Sequence, residues 1–130
     1  MRIFLETQAK LHIQHLVTQK ELELVCSFIS RYENNENPNF SNRNSIAQFL
    51  VNASGYIGVE NMENIRLTAH ELIQQGLKMK DATHLACAIM AGCDYFITTD
   101  DKLIQKYVGD SIKVRTPLTF LHDLEGITDA

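Results

Sequence analysis

Apolar residues recur along this chain with two different periods, and the change from one period to the other marks its helices and strands. In the first segment, MRIFLETQAKLHIQHLVTQKE, a helical period brings onto one stripe Leu5, Ala9, Leu16 and either His12 or Ile13. Residues 5–17 are therefore expected to be helical. The segment LELVCS follows, and its alternation of apolar and polar side chains is typical of a strand.

The rest of the chain continues to alternate between helical and strand patterns. Helices are predicted for FISRYEN, for a segment capped by Ser41 or Asn42, for NMENIRLTAHELIQQG and for the segment whose first turn holds Asp81. Gly76 is a suitable residue to end the third of these, and Pro117 suits the first turn of a last helix, PLTFLHDL. The predicted strands between them are GYIGVE, DYFIT and IKVR, and DDKLIQKYV is a further helix.

Alternating strands and helices predict an α/β domain, with a mostly parallel sheet and helices on both of its faces. DYFIT is a nearly continuous apolar run, which indicates a strand covered on both faces. In such sheets ligands bind outside the carboxyl ends of the strands. Asp100 follows DYFIT and Asp81 begins the helix before it, so both carboxylates are expected at that rim.

Composition narrows the kind of protein. The chain has 130 residues, 45% of them hydrophobic, so a single domain spanning residues 1–130 is expected. No apolar run approaches the ~20 residues of a membrane span, and the N-terminus lacks a basic region followed by an apolar one, so a cytoplasmic protein is expected. The three cysteines lack metal-type pairing and are interpreted as reduced thiols. A net charge of −4 argues against a protein that coats nucleic acid, but not against an enzyme that holds a phosphodiester through metal ions.

Several acidic side chains stand beside the predicted ends of elements. The candidates for a metal site are Glu33, Asp81 and Asp100, with Asp101 as a spare. Mg²⁺ prefers carboxylate oxygens and keeps much of its water, so few protein ligands suffice. Two such ions about 4 Å apart activate a water molecule, which then attacks the phosphodiester. Each acid also has a structural interpretation: Asp81 as a helix-start carboxylate, Asp100 as a helix cap, and Glu33 as a solvated side chain.

One stretch, KDATHLACAIMAGCDYFITTDDKLI, resembles the C-terminal half of a PIN domain. Its Asp-Ala-x-His-Leu-Ala helix begins at Asp81, and its apolar strand ends in Thr-x-Asp at Thr98 and Asp100. Upstream, ELVCSFISRYENNENPN is similar to the second strand of the family and to the helix that bears its next acid, which falls on Glu33. The resemblance covers nearly the whole chain, from about residue 5 to residue 121.

The resemblance implies a three-layer α/β/α fold and a Mg²⁺- or Mn²⁺-dependent ribonuclease, of the kind found as the toxin of bacterial toxin–antitoxin pairs. It implies that Glu33, Asp81 and Asp100 are catalytic metal ligands, with Thr98 as a polar residue near the metal. The expected partners are RNA, a cognate antitoxin protein and, in a homodimer, a second copy of the chain. Two lysines stand beside these acids, Lys80 and Lys102. Lysines on helices are usually solvated, but close to a phosphodiester these two are expected to hold RNA phosphates.

The chain departs from the PIN pattern at its start. Family members open with a strand ending in Asp-Thr or Asp-Ser, whose Asp is a metal ligand, and the nearest string here is MRIFLET, with Glu6 and Thr7. The helical period of residues 5–17 leaves no loop after such a strand, and the separation from Glu6 to Glu33 is short for the elements that should lie between. We therefore expect RIFLETQAKLHIQHL to be the family's first helix, with the central first strand and its Asp missing or replaced, as if the chain began at an internal methionine. A first strand ending in Glu6 is the alternative.

Loss of a central strand has physical consequences. Its neighbours are left with unpaired buried backbone groups, each costing about 1–3 kcal/mol, unless the gap is filled by the chain's own N-terminus, a partner chain or a rearranged sheet. A metal site with one carboxylate fewer also binds Mg²⁺ more weakly. The competing function is therefore a catalytically impaired PIN-like domain that acts by binding RNA or a protein.

The acids and His84 also allow other interpretations. A receiver-type domain also clusters acids at strand ends, but it needs an acidic pair after its first strand and a phosphoacceptor Asp after its third, and neither is visible. His84, three residues after Asp81, is either a general base or a partly buried side chain hydrogen-bonded to a neighbouring carboxylate or carbonyl. The second interpretation of His84 is the one favoured by the sequence.

Overall fold

The computed structural model describes residues 1–126, which form seven α-helices and four short strands. The helices are α1 (Arg2–Thr18), α2 (Phe28–Asn35), α3 (Phe40–Leu50), α4 (Met62–Gln74), α5 (Met79–Met90), α6 (Asp101–Lys106) and α7 (Pro117–Leu124). The strands are β1 (Val25–Ser27), β2 (Gly55–Ile57), β3 (Tyr95–Ile97) and β4 (Lys113–Arg115). Within this described part, no helix has the length and apolar character needed to cross a membrane.

The strands form two separate parallel pairs. β1 pairs with β2, placing Cys26 opposite Tyr56, and β3 pairs with β4, placing Phe96 opposite Val114. Helices connect the two strands of each pair, as parallel pairing requires. The predicted α/β class is confirmed, but residues 1–126 do not form one continuous sheet, because none of their segments pairs with both β1 and β3.

Local sequence signals explain where the helices end. Gly76, with φ of 104°, follows α4, and Gly92, with φ of 75°, follows α5; both values lie in the left-handed region that glycine adopts without strain. Pro117 occupies the first turn of α7, as predicted. The predicted cap of α3 is wrong, because Asn39, and neither of the two candidates further along, accepts the hydrogen bond from the first turn.

The larger core cluster surrounds α5. Ala82, Leu85 and Ala86 of this helix are fully buried, and Ile65 of α4 is 1% exposed. The two small alanine side chains allow α4 and α5 to lie close together, and this pair makes the most extensive helix–helix contact in residues 1–126. α5 also contacts both β1 and β3, so one helix spans the two sheets.

A second cluster joins α1 and α7 over the opposite side of β3. Ala9 and Phe120 are its buried members together with a leucine of α7, and Tyr95 and Ile97 of β3 pack against them. The rings of Tyr95 and Phe120 meet edge to face, with centroids 4.8 Å apart, an arrangement that the ring quadrupoles favour.

The start of the chain is helical, so the alternative of a first strand ending in Glu6 is wrong. Glu6 lies within α1, is 8% exposed, and its Oε1 accepts a hydrogen bond of 2.8 Å from the backbone N–H of Leu118. That N–H belongs to the first turn of α7, where no intrahelical acceptor exists and the helix dipole favours a negative charge. Glu6 therefore docks α1 onto α7 and does not end a strand.

Candidate acidic site

Chain direction brings three of the predicted acids to the same end of the two sheets. α5 ends at Met90 and the chain turns at Gly92 directly into β3, so α5 runs opposite to β3 and its first turn lies at the carboxyl end of that strand. Asp81 is in this first turn, and Asp100 follows β3. α2 begins directly after β1, and its Glu33 contacts Lys80 in the first turn of α5.

Glu33 is held by two side chains of α5. Its Oε1 lies 2.8 Å from Nε2 of His84, and its Oε2 lies 3.2 Å from Nζ of Lys80. Desolvation by burial is the largest influence on the pKa of Glu33 and raises it, but the hydrogen bond from Lys80 and the interactions with His84 together outweigh it, so the pKa lies below its ordinary value. The favoured interpretation of His84, a partly buried side chain bonded to a carboxylate, is confirmed.

Asp81 lies beside this pair. It is half-buried in the first turn of α5, one residue after Lys80 and three before His84. No other acidic residue stands in that turn, and the side chain of Lys78, which precedes the helix, accepts no capping hydrogen bond. Within residues 1–126 the Asp81 carboxylate takes part in no ion pair, so its negative charge is balanced by the exposed backbone N–H groups and the dipole of α5.

Asp100 caps α6, in agreement with its structural interpretation. Its Oδ1 accepts hydrogen bonds from the backbone N–H groups of Lys102, at 3.0 Å, and Leu103, at 3.3 Å. The hydroxyl of Thr98 accepts from the backbone N–H of Asp100 at 3.1 Å. Thr98 therefore supports the turn that carries Asp100, a role that no signal in the sequence indicates.

Asp101, the spare candidate, is engaged elsewhere. Its two carboxylate oxygens accept from the two terminal nitrogens of Arg2, each at 2.6 Å. The hydrogen bond from Arg2 is the main reason why the pKa of Asp101 lies below its ordinary value. This pair fastens the start of α1 to the start of α6, and no signal in the sequence indicated it, because the two residues are distant along the chain.

These side chains do not fit a metal site as they are arranged. Residues 1–126 contain no group of three or more His, Cys, Asp or Glu side chains placed to hold an ion. Both oxygens of Glu33 already have partners, and Lys80, predicted to hold a phosphate, is one of them. Mg²⁺ needs several oxygen ligands in near-octahedral geometry. The predicted roles of Glu33, Asp81 and Asp100 as metal ligands stay predictions.

The cysteines have no disulfide partner within the described residues, in line with their interpretation as reduced thiols. Cys26 and Cys87 are buried and Cys93 is half-buried. Burial raises the pKa of the Cys87 and Cys93 thiols, so both are protonated at neutral pH.

Comparison of the chain with protein-family models, with curated proteins and with solved structures finds no match. The geometry alone defines the class: an α/β domain, mostly helical, with two small parallel sheets and acidic side chains at their carboxyl ends.

The Glu33 interactions are expected to make stability depend on pH in a defined direction. A carboxyl group whose pKa is lowered by folding stabilises the protein above its unfolded pKa of about 4.3, and this contribution is lost as the pH falls through the folded value. Glu33→Gln is therefore expected to lower the free energy of unfolding at pH 7 by less than about 1 kcal/mol, because the pair is 35% exposed on the Glu33 side. In urea unfolding, the difference from the unmodified chain should shrink as the pH falls through the folded pKa of Glu33.

The matched control for that measurement is Glu36→Gln. Glu36 is exposed, directly follows α2 and takes part in no ion pair within residues 1–126. Glu36→Gln is expected to change the free energy of unfolding by the same small amount at pH 7 and at about pH 3. An equal loss for Glu33→Gln at pH 7 and at about pH 3 would contradict the role given to its charge.

Proposed function

We propose that this chain is a PIN-like domain of the Mg²⁺- or Mn²⁺-dependent ribonuclease class, with Glu33, Asp81 and Asp100 as its acidic residues. The proposal includes a three-layer α/β/α fold, in which both strand pairs belong to one parallel sheet. RNA is the proposed substrate, and the hydrolysed bond is a phosphodiester.

The observation that supports the proposal best is the common position of the three acids at the carboxyl ends of parallel strands. Glu33 pairs with Lys80 in the first turn of α5, Asp81 is in that turn, and Asp100 follows β3. Ligand sites in α/β sheets lie at this rim. The Asp-Ala-x-His-Leu-Ala and Thr-x-Asp motifs add support from the sequence.

In the present arrangement the acids are too few to hold ions, and several of their oxygens already have partners. The isolated chain is therefore expected to cleave RNA slowly or not at all. Lys80 neutralises Glu33, and one carboxylate oxygen of Asp100 is used in capping α6. Glu33, Asp81 and Asp100 would be the residues to hold an ion, which would supply charge neutralisation and an activated water. What the chain itself provides is the placement of the carboxylates and two cations, Lys80 and Lys102, beside them.

A second candidate function, RNA binding without cleavage, is favoured by the same pairing of Glu33. With the charge of Glu33 compensated by Lys80, the carboxyl ends of the strands are less negative than three free carboxylates would make them. Lys102 is exposed and forms no ion pair within residues 1–126, so it remains open to a phosphate group.

The two candidates are separated by an assay with labelled single-stranded RNA and Mn²⁺. If the domain is a ribonuclease, residual cleavage should need the metal and should be abolished by Asp81→Asn and by Asp100→Asn. Asp110→Asn is the matched control, because Asp110 is an exposed acid in the loop before β4 and has no partner among the described residues. Cleavage that survives both site substitutions would refute the assignment, and binding that is lost in Lys102→Ala without any cleavage would favour the second candidate.

A further inference from the structure

A cleft of about 570 Å³ separates the two strand pairs. Residues of β1 and β3 line it, and α5 contributes Cys87 and Ala88. α1 lines it with Ile13 and Val17, and α7 with Phe120. Both strands and three helices, α1, α5 and α7, therefore border the cleft.

Among residues 1–126, the backbone N–H groups of β1 on the cleft side have no backbone hydrogen-bond partner. The carbonyl oxygen of Leu24 accepts from the backbone of the β2 segment, with 2.9 Å to the N–H of Ser54. Because successive residues of a strand direct their N–H and C=O groups to opposite edges, Val25 and Ser27 direct their N–H groups away from β2. Both residues line the cleft.

The backbone of β3 has the same arrangement. The carbonyl oxygen of Asp94 accepts from Lys113 at 3.2 Å, and the N–H of Thr98 donates to Arg115 at 3.0 Å, so these groups face β4. Alternation then directs the N–H and C=O groups of Tyr95 and Ile97 away from β4, and both residues line the cleft.

The two edges also run in the same direction. α1 begins at the carboxyl end of β3, where Arg2 pairs with Asp101, and it ends near Val17, which lines the cleft beside the segment that enters β1. α1 is therefore antiparallel to β3, and after a short connection β1 returns antiparallel to α1. Two parallel strand edges across one gap form the acceptor for a single strand that runs parallel to both.

We propose that this cleft binds an extended apolar peptide segment of another protein, which adds as a parallel strand between β1 and β3 and joins the two pairs into one five-stranded sheet. Backbone hydrogen bonds to Val25 and Ser27 on one side and to Tyr95 and Ile97 on the other give the affinity. The surrounding side chains are mainly apolar and come from both faces, so the segment carries consecutive aliphatic residues.

A second copy of this chain is a poorer occupant. Within residues 1–126, the longer apolar runs are already part of helices or strands, so a second copy would have to unfold an element to supply the segment. The inference rests on the backbone geometry and does not depend on the proposed ribonuclease class.

The probe for the test is a peptide of five alternating valine and isoleucine residues with two lysines at each end, and its matched control has proline at the centre. Proline removes one backbone N–H and disrupts strand pairing. Amide hydrogen exchange, resolved residue by residue, is measured for the whole chain with and without each peptide. At a peptide concentration ten times Kd, exchange at Val25, Ser27, Tyr95 and Ile97 is expected to slow by about tenfold.

Cys26 and Phe96 are the internal references, because their backbone groups already face β2 and β4. Their exchange should change less than that of their neighbours in the chain. Equal protection by the proline peptide, or no protection by the aliphatic one at millimolar concentration, would overturn the proposal. Concentration-dependent protection of the same four amides without peptide would assign the cleft to a second copy instead.

A substitution that fills the cleft completes the test. Ala88→Phe places a ring among the lining residues and is expected to weaken peptide binding at least tenfold, while Ala47→Phe, on exposed α3, should leave it unchanged. Ala91→Phe is the second variant, since Ala91 is exposed at the end of α5, lines the cleft and does not belong to the buried core. Undiminished binding in both folded variants would place the peptide elsewhere.

Discussion

A version of this chain extended at its N-terminus by a strand that ends in aspartate is expected to cleave single-stranded RNA with Mn²⁺ about 100-fold faster than the chain itself. The extension would carry four aliphatic residues, an aspartate and a short linker before Met1. Because Arg2 lies at the carboxyl end of β3, a strand joined to it by a short linker can run parallel to β3 through the cleft. Its aspartate would then emerge at the rim that holds Asp81 and Asp100.

The expected increase in the rate of RNA cleavage has two causes. Filling the gap between β1 and β3 gives partners to their free backbone groups and fixes the distance between the two halves of the rim. The added carboxylate would also give bound ions a further protein ligand, of which the chain alone offers too few. Misplacement of reacting groups by about 1 Å already costs ~10²-fold in rate.

Three controls separate strand addition from chemistry. The same extension with asparagine in place of its aspartate should stabilise the domain without restoring cleavage, and a version with proline in the strand should do neither. Asp100→Asn in the active extended chain should abolish cleavage. If the unextended chain cleaves as fast as the extended one and Asp100→Asn abolishes both activities, the additional ligand is not needed and the expectation is wrong.

The helices could be predicted well from the sequence because their signals are local. The helical spacing of apolar residues predicted α1, although Leu5 of that stripe is exposed and Ala9 is buried. Gly76 and Pro117 mark helix ends by backbone conformations that only a few residues adopt easily. The strands are shorter than the apolar runs from which they were predicted: β3 has three residues, where five were predicted. Strand length depends on how much partner backbone is available, and this is set by distant parts of the chain.

The candidate site could be predicted only in part. Position relative to element ends was enough to place Asp81 in the first turn of α5 and Asp100 after β3. The partners of these acids were not predictable, since Glu33 meets His84 across 51 positions of sequence and Arg2 meets Asp101 across 99. Such contacts follow from how helices are docked, and a single sequence contains no local trace of them.

Leu85→Ala is expected to lower the free energy of unfolding by about 2–5 kcal/mol, the largest effect on stability among these predictions. Leu85 is fully buried in α5, the helix that contacts both β1 and β3. Its removal leaves a cavity where the two sheets share their support, and no sheet hydrogen bonds within the described residues link β1 to β3 directly. Domains of this size have about 5–15 kcal/mol in total, so the variant should lose a large fraction of its stability.

The measurement is urea unfolding followed by circular dichroism, with Leu67→Ala as the matched control. Leu67 is 59% exposed on α4, the neighbouring helix, so its truncation should change stability by no more than about 0.5 kcal/mol. The strand-bearing extension should recover part of the loss in Leu85→Ala, because a strand between β1 and β3 links the two sheets independently of α5. A loss for Leu85→Ala as small as that for Leu67→Ala would mean that α5 is not the element that holds the two strand pairs together.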